Sequence, residues 1–524
     1  MHPLAKLDHA HVWHPFTQMR DWLKREPIVI VSARGARLRD ANGREYLDGN
    51  SSIWTNLHGH RHPQITRAIE RQLRKIAHSS ALGLANEPAS LLAEKLVEAA
   101  NPRICDERFA LGQSAAPRIG QSKDVNRRLA KVFFSDDGST AMEVALKLAY
   151  EFARRTRGLR KPKFLSLKSA YHGDTVGAVS LGHIDRFHHA YAGLLFKSDS
   201  VMAPYCYRCP FNRARPERAD AREYRRCHWE CVSQVEHRFA TQQKRDNPYA
   251  AMVVEPRIQG AAGMIPQPAG WLDRVSQIAR AHHAQLIADE VMTGFGRTGA
   301  QPVLPSDGPA IPANARANRK GTKPVRDSRE AGPALFACHH EGVQPDFLAV
   351  AKGLTGGYLP MAATLTTREV FEAFLGEYEE FKTFFHGHSF TANQLGAAAA
   401  LASLELLQSP ASVGARAKVE ETLRHELPSL WSAPNVGDIR QVGLVAGIEL
   451  VKDWRTREPF DRRERAGIRV CEAMARRGVL TRPIDNVVVL MPPYCSTAAQ
   501  VRQMVEALDG AVRDTLGPGK RKPG

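Results

Sequence analysis

The stretch LAVAKGLTGG, residues 348–357, joins an apolar run to a cluster of glycines and places one lysine, Lys352, at the junction. A short apolar run that stops at a glycine-rich turn indicates a buried strand. Earlier in the chain, comparable runs alternate with amphipathic helical stretches, as in KVFFSDDGSTAMEVALKLAYEFARR and WLDRVSQIARAHHAQLIADEV. This alternation predicts an α/β fold with a mostly parallel sheet covered by helices.

The pattern changes on both sides of this region. Near the start, PIVIVSARGARLRDANGREYLDGNSS alternates apolar and polar residues around an Asn-Gly pair, which indicates a hairpin. Beyond about residue 400, long helical stretches alternate with short strands. We therefore predict a large domain over 76–360 and a smaller α+β domain formed by the N-terminal segment, 1–75, and the C-terminal segment, 361–524.

Two stretches of the large domain, 106–130 and 301–334, are predicted to be insertions. The first is polar and weakly periodic, and the second is rich in Pro, Ala and Arg with almost no large apolar residues. Because such a composition cannot bury enough apolar surface to order itself, the second stretch is expected to be a mobile loop.

Composition limits the function classes. The 524 residues carry a formal charge of +18, yet Lys and Arg are spread along the chain, so a solvated basic surface is favoured over nucleic-acid binding. The chain contains no run of eighteen uncharged apolar residues, and its first residues lack an apolar signal core. We expect a cytoplasmic protein that does not enter the membrane.

Four of the eight cysteines cluster, at Cys206, Cys209, Cys227 and Cys231. Their spacing, C-x2-C followed by C-x3-C, could close a structural zinc site, since two turns would each present two thiolates. The alternative is an ordinary surface loop with reduced thiols. The segment between the two pairs is rich in Arg and has no regular pattern, which favours a surface loop with reduced thiols.

Polar residues that directly follow buried strands are the best candidates for chemistry, because ligands of open parallel sheets bind at the carboxyl ends of the strands. Gly138 and Ser139 follow VFFSDD and open a helix whose N–H groups can hold a phosphate. Tyr171 follows KFLSL and could cover a flat ring. Asp289 ends LIAD, where a buried carboxylate requires a cationic partner. Lys352 suits a Schiff base, because desolvation makes its amine nucleophilic.

Together these side chains form the set that pyridoxal phosphate needs: a phosphate anchor, a ring cover, a partner for the pyridinium nitrogen and an amine. Arg297, eight residues after Asp289 in GFGRTG, could clamp a substrate carboxylate with its planar guanidinium.

The stretches IADEVMTGFGRTG and PDFLAVAKGLTGGYLP resemble those of the class III aminotransferases of fold type I. HVWHPFTQM, DGNSSIWTNLHGHRHP, YHGDT and LTRPIDNVVVLMPPY are similar to the branch of that family that aminates 8-amino-7-oxononanoate in biotin synthesis. The resemblance spans nearly the whole chain apart from the two insertions. It implies a fold type I enzyme that runs a ping-pong transamination with pyridoxal phosphate.

The resemblance also assigns residues to the cofactor. It implies that Lys352 holds pyridoxal phosphate covalently, that Asp289 pairs with the ring nitrogen, and that Tyr171 lies against the ring. Gly138 and Ser139 would bind the phosphate. Lys352, Asp289 and Tyr171 are therefore the predicted catalytic residues.

Other matched positions concern the substrate and a second subunit. In TFFHGHSFTANQLG, Ser389 matches a position that reaches the phosphate in the neighbouring subunit, and Gly387 one that borders the substrate. The resemblance thus implies a homodimer with shared active sites. Arg482 in LTRP matches the arginine that binds the oxononanoate carboxylate, and Arg297 is placed nearby.

The amino donor is where this chain departs from the family pattern. Relatives that use S-adenosylmethionine carry a tyrosine where this chain has Phe16, and a Trp-Trp pair where it has Ile53 and Trp54. The lost hydroxyl and the lost aromatic face could have contacted a large sulfonium nucleoside. Both S-adenosylmethionine and lysine are therefore retained as donors.

Two alternatives to this function are also retained. The first is another class III transaminase that acts on an ω-amino acid or a diamine. The second is a zinc- or nucleic-acid-binding protein without enzymatic activity on the same fold, which the intact set of Lys352, Asp289 and Tyr171 disfavours.

Overall fold

The structure is a computed structural model, and it describes residues 1–101, 127–299 and 334–517. The predicted insertions at 106–130 and 301–334 lie outside the described residues except for 127–130 and residue 334. The predictions made for them therefore stay predictions.

The strands and helices of the described residues follow in chain order. The strands are β1 (Ile30–Arg34), β2 (Arg37–Asp40), β3 (Glu45–Asp48), β4 (Leu129–Ser135), β5 (Lys163–Leu167), β6 (Asp199–Val201), β7 (Tyr249–Val254), β8 (Ile258–Gln259), β9 (Ile265–Pro266), β10 (Gln285–Asp289), β11 (Phe347–Val350), β12 (Ala362–Thr367), β13 (Val436–Val442), β14 (Val445–Asp453), β15 (Glu458–Pro459), β16 (Val479–Leu480), β17 (Pro483–Ile484) and β18 (Val487–Leu490). The α-helices are α1 (Pro3–His11), α2 (Met19–Trp22), α3 (Ser51–Trp54), α4 (Pro63–Leu73), α5 (Glu87–Ala100), α6 (Gly138–Arg157), α7 (Val176–Leu181), α8 (Asp185–His188), α9 (Ala221–Tyr224), α10 (Glu230–Lys244), α11 (Trp271–Ala281), α12 (Arg368–Glu372), α13 (Gln394–Gln408), α14 (Pro410–Glu426), α15 (Ala466–Arg476) and α16 (Ala498–Leu516).

The central sheet of the large domain has seven strands in the order β4, β12, β11, β10, β7, β5, β6. Neighbours are parallel except at β12, which is antiparallel to both β4 and β11. Met252 and Val254 of β7 pack into one apolar cluster, and Ala251 and Val253 pack into another. Because successive strand residues point to opposite faces, both faces of the sheet are covered. The predicted α/β fold with a mostly parallel sheet is confirmed.

Besides the two-stranded sheet of β8 and β9, the described residues form two smaller sheets. One has the order β1, β2, β3, β16, in which Leu47 of β3 pairs in parallel with Val479 of β16. The other contains β13, β14, β18 and β17, with β15 paired to β14. Residues near both ends of the chain therefore share one sheet, as the predicted small domain requires, while its boundaries stay predictions.

Within the described ranges, none of the helices combines the length and the apolar content needed to cross a bilayer.

Candidate active site

The site lies where β10 and β11 end. These strands are parallel neighbours with Asp289 opposite Ala349, so Asp289 and Lys352, three residues beyond Ala349, reach the same edge of the sheet. A cavity of about 440 Å³ opens there. It is lined by most of the predicted cofactor residues together with other side chains, namely Trp54, Thr55, Asp136, Asp137, Gly138, Ser139, Tyr171, His172, Gly173, Glu255, Ala261, Asp289, Val291, Met292, Ala351, Lys352, Gly357, Tyr358, Leu359, Pro360 and Met361.

Lys352 faces this cavity from a left-handed backbone conformation, with φ of 41°. Desolvation lowers the pKa of its amine, and the charges of Asp289 and Glu255 offset that effect only in part. The Nζ atom lies 5.5 Å from the centroid of the Trp54 ring. A lysine whose pKa is lowered in this way presents more neutral amine at neutral pH, which a nucleophile requires.

Asp289 is held by a histidine. Nδ1 of His172 donates to Oδ2 of Asp289 at 2.7 Å, and both side chains are buried. Burial lowers the pKa of His172, but the hydrogen bond and charge of Asp289 outweigh it, so the pKa is raised. Among the described residues, Nε2 of His172 has no hydrogen-bond partner. The pair fixes the Asp289 carboxyl group at the cavity wall, where a cationic ligand atom could meet it.

Tyr171 is positioned through its hydroxyl group and its main chain. The hydroxyl donates to Oδ2 of Asp174 at 2.7 Å, and the Asp174 N–H donates to Oγ of Ser139 at 3.2 Å. Burial and the neighbouring carboxylates raise the pKa of Tyr171, so the phenol stays neutral. The loop after β5 is thereby tied to the first turn of α6.

The first turn of α6 has the features of an anion site. The helix begins at Gly138, and Asp137 forms a capping box with Thr140. A Cβ atom on Gly138 would lie 2.7 Å from Cγ1 of Val291, so only glycine fits there without movement. The N–H groups and the dipole of a twenty-residue helix favour a phosphate beside Ser139.

Trp54 reaches the cavity from α3, whose four residues form a left-handed turn and not a right-handed helix. Ser51, Ser52, Ile53 and Trp54 all have positive φ, between 49° and 69°. Consecutive left-handed L-residues are costly, at about 1–2 kcal/mol each, and such strain is typical of functional sites. The Trp54 Nε1 atom is buried and finds no hydrogen-bond partner in the part of the chain that the structure describes. The turn thus fixes an indole with a free donor at the cavity wall.

Arg297 is predicted to bind a substrate carboxylate, and its side chain lies outside the lining of the cavity. Its side chain is 1% exposed and does not line the cavity. Its guanidinium donates to the carbonyl oxygens of Pro492 at 3.2 Å and Asn56 at 3.4 Å, and it packs on the Tyr494 ring at 5.0 Å. These contacts join distant segments of the chain, and the predicted carboxylate clamp stays a prediction.

The remaining predicted substrate residues lie outside the cavity lining of this chain. Phe16 is exposed and its ring contacts Phe187, which in turn contacts Tyr171. Arg482 is exposed, and its Nη2 lies 3.5 Å from the Phe16 carbonyl oxygen. Ile53 is exposed beside Trp54.

Gly387 and Ser389 belong to a segment that this chain does not place in its own cavity. A Cβ atom on Gly387 would meet no atom within 4 Å. The carbonyl oxygen of Ser389 accepts a hydrogen bond from Nε2 of His78 at 2.8 Å. The segment is therefore held against the 78–84 loop, away from Lys352 of the same chain.

The four clustered cysteines converge on a separate cavity of about 10 Å³. All four are free thiols, and Arg225 Nη1 donates to the Sγ of Cys227 at 3.2 Å. Burial raises the pKa of Cys206 to about 12 and that of Cys231 to about 11. In the part of the chain that is described, no three His, Cys, Asp or Glu side chains are arranged to hold a metal ion. The four cysteines thus lie together as the sequence predicts, and the zinc site and the loop with reduced thiols both stay predictions.

Three residues of the site were not assigned roles from the sequence: His172, Asp174 and Glu255. Glu255 could have been found, because it follows the apolar strand YAAMVV as Asp289 follows its own strand. For His172 and Asp174 the sequence shows only that they neighbour Tyr171, since their partners come from other segments.

Comparisons with known proteins agree with this geometry. A family model described as aminotransferase class-III matches residues 19–304 and 331–512. The chain is 42% identical to the adenosylmethionine-8-amino-7-oxononanoate aminotransferase of Geobacter sulfurreducens, with 98% of each chain covered.

Two solved structures are similar over nearly the whole length. The adenosylmethionine-8-amino-7-oxononanoate aminotransferase of Methanocaldococcus jannaschii has a TM-score of 0.78 at 36% identity and covers 98% of each chain. An amine transaminase from an uncultivated Pseudomonas species, in its PLP-bound form, has a TM-score of 0.76 at 30% identity, covering 95% of this chain and 98% of that one. With this similarity and the family match along most of its length, the chain belongs to the class III aminotransferases.

Proposed function

We propose that this enzyme transfers an amino group to 8-amino-7-oxononanoate, forming 7,8-diaminononanoate for biotin synthesis, with pyridoxal phosphate as its cofactor. The observation that carries the reaction type is the meeting of the Lys352 amine and the buried Asp289–His172 pair at one cavity. The substrate is supported by the names of eight relatives, which are 28–42% identical to this chain over 95–98% of its length.

The residues of the cavity fit pyridoxal phosphate. The buried Asp289 carboxylate would pair with the ring nitrogen, and Tyr171 would cover the ring. The first turn of α6, at Gly138 and Ser139, would hold the phosphate, and Lys352 would attach the cofactor covalently. When bound, pyridoxal phosphate supplies an electron sink that weakens the bond between hydrogen and the carbon carrying the amino group.

The protein contributes proton transfer and orientation. The Nζ atom of Lys352 would take the proton from the carbon that bears the donor amino group and later return one, since desolvation lowers its pKa and so favours the neutral amine that can act as a base. His172 holds Asp289 in position, and the Trp54 ring lines the cavity wall 5.5 Å from the Lys352 Nζ atom. Two substrates that use one site in turn give ping-pong kinetics.

The substrate carboxylate is assigned to Arg482. This guanidinium is exposed, and its Nη2 contacts only the Phe16 carbonyl oxygen among the hydrogen bonds of the described residues. It therefore keeps donors available at the surface for a bidentate contact with a carboxylate, whereas Arg297 is buried outside the cavity lining.

The donor is S-adenosylmethionine or lysine. Phe16 packs on Phe187, which in turn contacts Tyr171, the residue proposed to cover the cofactor ring. The Phe16 side chain offers no hydroxyl group to a donor. Ile53 offers no aromatic face, and Trp54 alone lines the cavity from this turn. These features favour a small donor, whereas the names of the relatives favour S-adenosylmethionine.

We infer a homodimer with shared active sites. Leu82 is 92% exposed and Tyr378 is 86% exposed, and further large apolar side chains on the same two segments are open to solvent, namely Leu84, Phe381, Phe385 and Phe390. His78 joins the two segments, since its ring contacts Phe390 and it binds Ser389. An apolar surface of this kind is typical of a subunit interface, and it would bring Ser389 to a partner's phosphate site.

The deciding experiment is a half-reaction. The cofactor-loaded enzyme is mixed with S-adenosylmethionine or with lysine, and the visible absorbance of the bound cofactor is followed. 8-Amino-7-oxononanoate is then added. If one donor bleaches this absorbance and the oxononanoate restores it, that donor is identified and the proposed function is supported. If neither donor bleaches the band, the proposal is wrong.

A second function is favoured by one observation, the similarity to an amine transaminase at 30% identity. In a transaminase for ω-amino acids or diamines, such amines would bleach the visible absorbance of the cofactor. Pyruvate or 2-oxoglutarate would restore that absorbance, and the oxononanoate would not. The same absorbance assay separates the two functions.

A further inference from the structure

Glu255 occupies the same kind of position as Asp289, one strand away. It directly follows β7, which is the parallel neighbour of β10, with Val254 opposite Ala288. The two carboxyl groups therefore reach the same edge of the sheet, and Glu255 also lines the cavity. Its side chain is 6% exposed. A carboxyl group buried at this depth requires hydrogen-bond partners.

Both oxygen atoms of Glu255 accept main-chain hydrogen bonds. Oε1 accepts from the N–H of Tyr171 at 3.2 Å, and Oε2 accepts from the N–H of Gly260 at 2.8 Å. Tyr171 forms one wall of the cavity. Gly260 supports the other wall, because a Cβ atom placed on it would lie 3.3 Å from Cζ3 of Trp54. The Glu255 carboxyl group thus joins the main chain of Tyr171 to the main chain of Gly260, against which Trp54 packs.

Glu255 also carries charge that acts on the site. Burial and the charge of Asp289 raise the pKa of Glu255 to about 7, against the opposing effects of His172 and the two N–H donors. Glu255 in turn acts on Lys352, since its charge, after that of Asp289, raises the pKa of the amine against desolvation. Its charge also contributes to the raised pKa of Tyr171.

We propose that Glu255 is a positioning residue of the amino-transfer site, whose carboxyl group fixes the spacing of Tyr171 and Trp54 and faces the cavity that Lys352 lines. It holds both main-chain segments through its two hydrogen bonds, and it borders the same cavity as the Lys352 amine, on which its charge acts. The inference rests on the proposed function, in which Lys352 moves the proton.

The test uses three variants of the full chain without cofactor. Glu255→Gln removes the charge and turns one acceptor into a donor, whereas Glu255→Asp keeps the charge and shortens the side chain. Glu143→Gln is the matched control. Glu143 also accepts two main-chain hydrogen bonds, from Gly177 and Ala178, and is not among the carboxylates that act on Lys352.

The first readout is the pH at which Lys352 is half-reactive toward an amine reagent, located on the chain by peptide mass spectrometry. Loss of the Glu255 charge is expected to lower this midpoint by about one pH unit in Glu255→Gln. Glu255→Asp and Glu143→Gln are expected to keep the wild-type midpoint. A midpoint in Glu255→Gln that equals or exceeds the wild-type value overturns the electrostatic role.

The second readout is the affinity for pyridoxal phosphate, titrated by the change in protein fluorescence. Loss of one buried main-chain hydrogen bond is expected to raise the dissociation constant about tenfold in Glu255→Gln and Glu255→Asp. Unchanged affinity in both variants overturns the tethering role. If Glu255→Gln does not fold, the affinity of Glu255→Asp decides this point alone.

These measurements are independent of the substrate. If the wild-type enzyme fails to aminate the oxononanoate but Glu255→Gln still lowers the Lys352 midpoint, the proposed function fails and the role of Glu255 stands. If the wild type aminates the oxononanoate and the midpoint does not move, the role of Glu255 fails alone.

Discussion

His172 and Asp289 form a buried pair in which Nδ1 of the histidine lies 2.7 Å from Oδ2 of the aspartate. The two residues follow β5 and β10, strands separated in the sheet by β7. The contact therefore depends on the folded sheet and fixes the carboxylate on which the proposed cofactor site depends.

Replacing His172 should destabilise the protein in a pH-dependent way. His172→Ala leaves Asp289 unpaired and should lower the free energy of unfolding by about 3 kcal/mol. Because the folded-state pKa of His172 is raised, its stabilising effect is complete below the unfolded value of 6.5 and is lost as pH rises through the higher folded value.

His172→Asn serves as the matched variant, because its amide can still donate to Asp289 but carries no charge. Urea unfolding from pH 5 to 9 is the measurement. The expected result is a smaller loss in His172→Asn and a weaker decline above pH 6.5 in both variants than in the wild type. An unchanged pH profile would contradict the raised pKa.

Replacing Lys352 should abolish turnover. Lys352→Ala removes the amine that faces the cavity, so the enzyme can no longer attach the cofactor or move the proton, and kcat should fall by at least about 10⁴-fold. Lys168→Ala is the control, since Lys168 is exposed and does not line the cavity. Steady-state turnover that survives in Lys352→Ala would remove this residue from the mechanism.

Replacing Arg297 distinguishes a structural role of its buried guanidinium from the predicted role as a carboxylate clamp. Arg297→Met removes donors that bind the carbonyl oxygens of Pro492 and Asn56, so the free energy of unfolding should fall by about 2–4 kcal/mol without cofactor or substrate present. The measurement is denaturant unfolding of the cofactor-free protein. Unchanged stability together with a raised KM for the oxononanoate would instead support the carboxylate clamp.

The left-handed turn that carries Trp54 predicts a difference between two substitutions. Ile53 has φ of 60° and is 44% exposed, so Ile53→Ala keeps the backbone strain whereas Ile53→Gly relieves it. The glycine variant should be more stable than the alanine variant by about 1 kcal/mol. Parallel thermal unfolding compares the two, and a more stable alanine variant would show that the turn relaxes.

The exposed apolar segments predict the oligomeric state. Leu82→Arg places a charge on the proposed interface and should shift the protein from dimer to monomer, with loss of activity, because Ser389 no longer reaches a partner's site. Ile468→Arg is the control, on an exposed face of α15. Sedimentation velocity measures the shift, and a wild-type monomer would refute the shared site.

The sequence by itself predicted the α/β class and the set of Gly138, Ser139, Tyr171, Asp289 and Lys352. Each of these residues follows an apolar strand directly or within a few residues. Because parallel strands run in the same direction, residues that follow them meet at the same edge of the sheet, and the sequence pattern alone shows which residues these are. The structure brings all five to one cavity. The antiparallel strand β12 was not predicted, because strand direction within a sheet depends on pairing between distant segments.

Only the tertiary structure decided what each side chain touches. The GFGRTG motif shows that Arg297 stands among glycines, but its burial against carbonyl oxygens depends on segments that are about 200 residues away in sequence. The pairing of His172 with Asp289, and the two hydrogen bonds of Glu255, likewise join residues from separate strands and loops. Local sequence sets which residues reach an edge, whereas partners and pKa shifts are set by long-range packing.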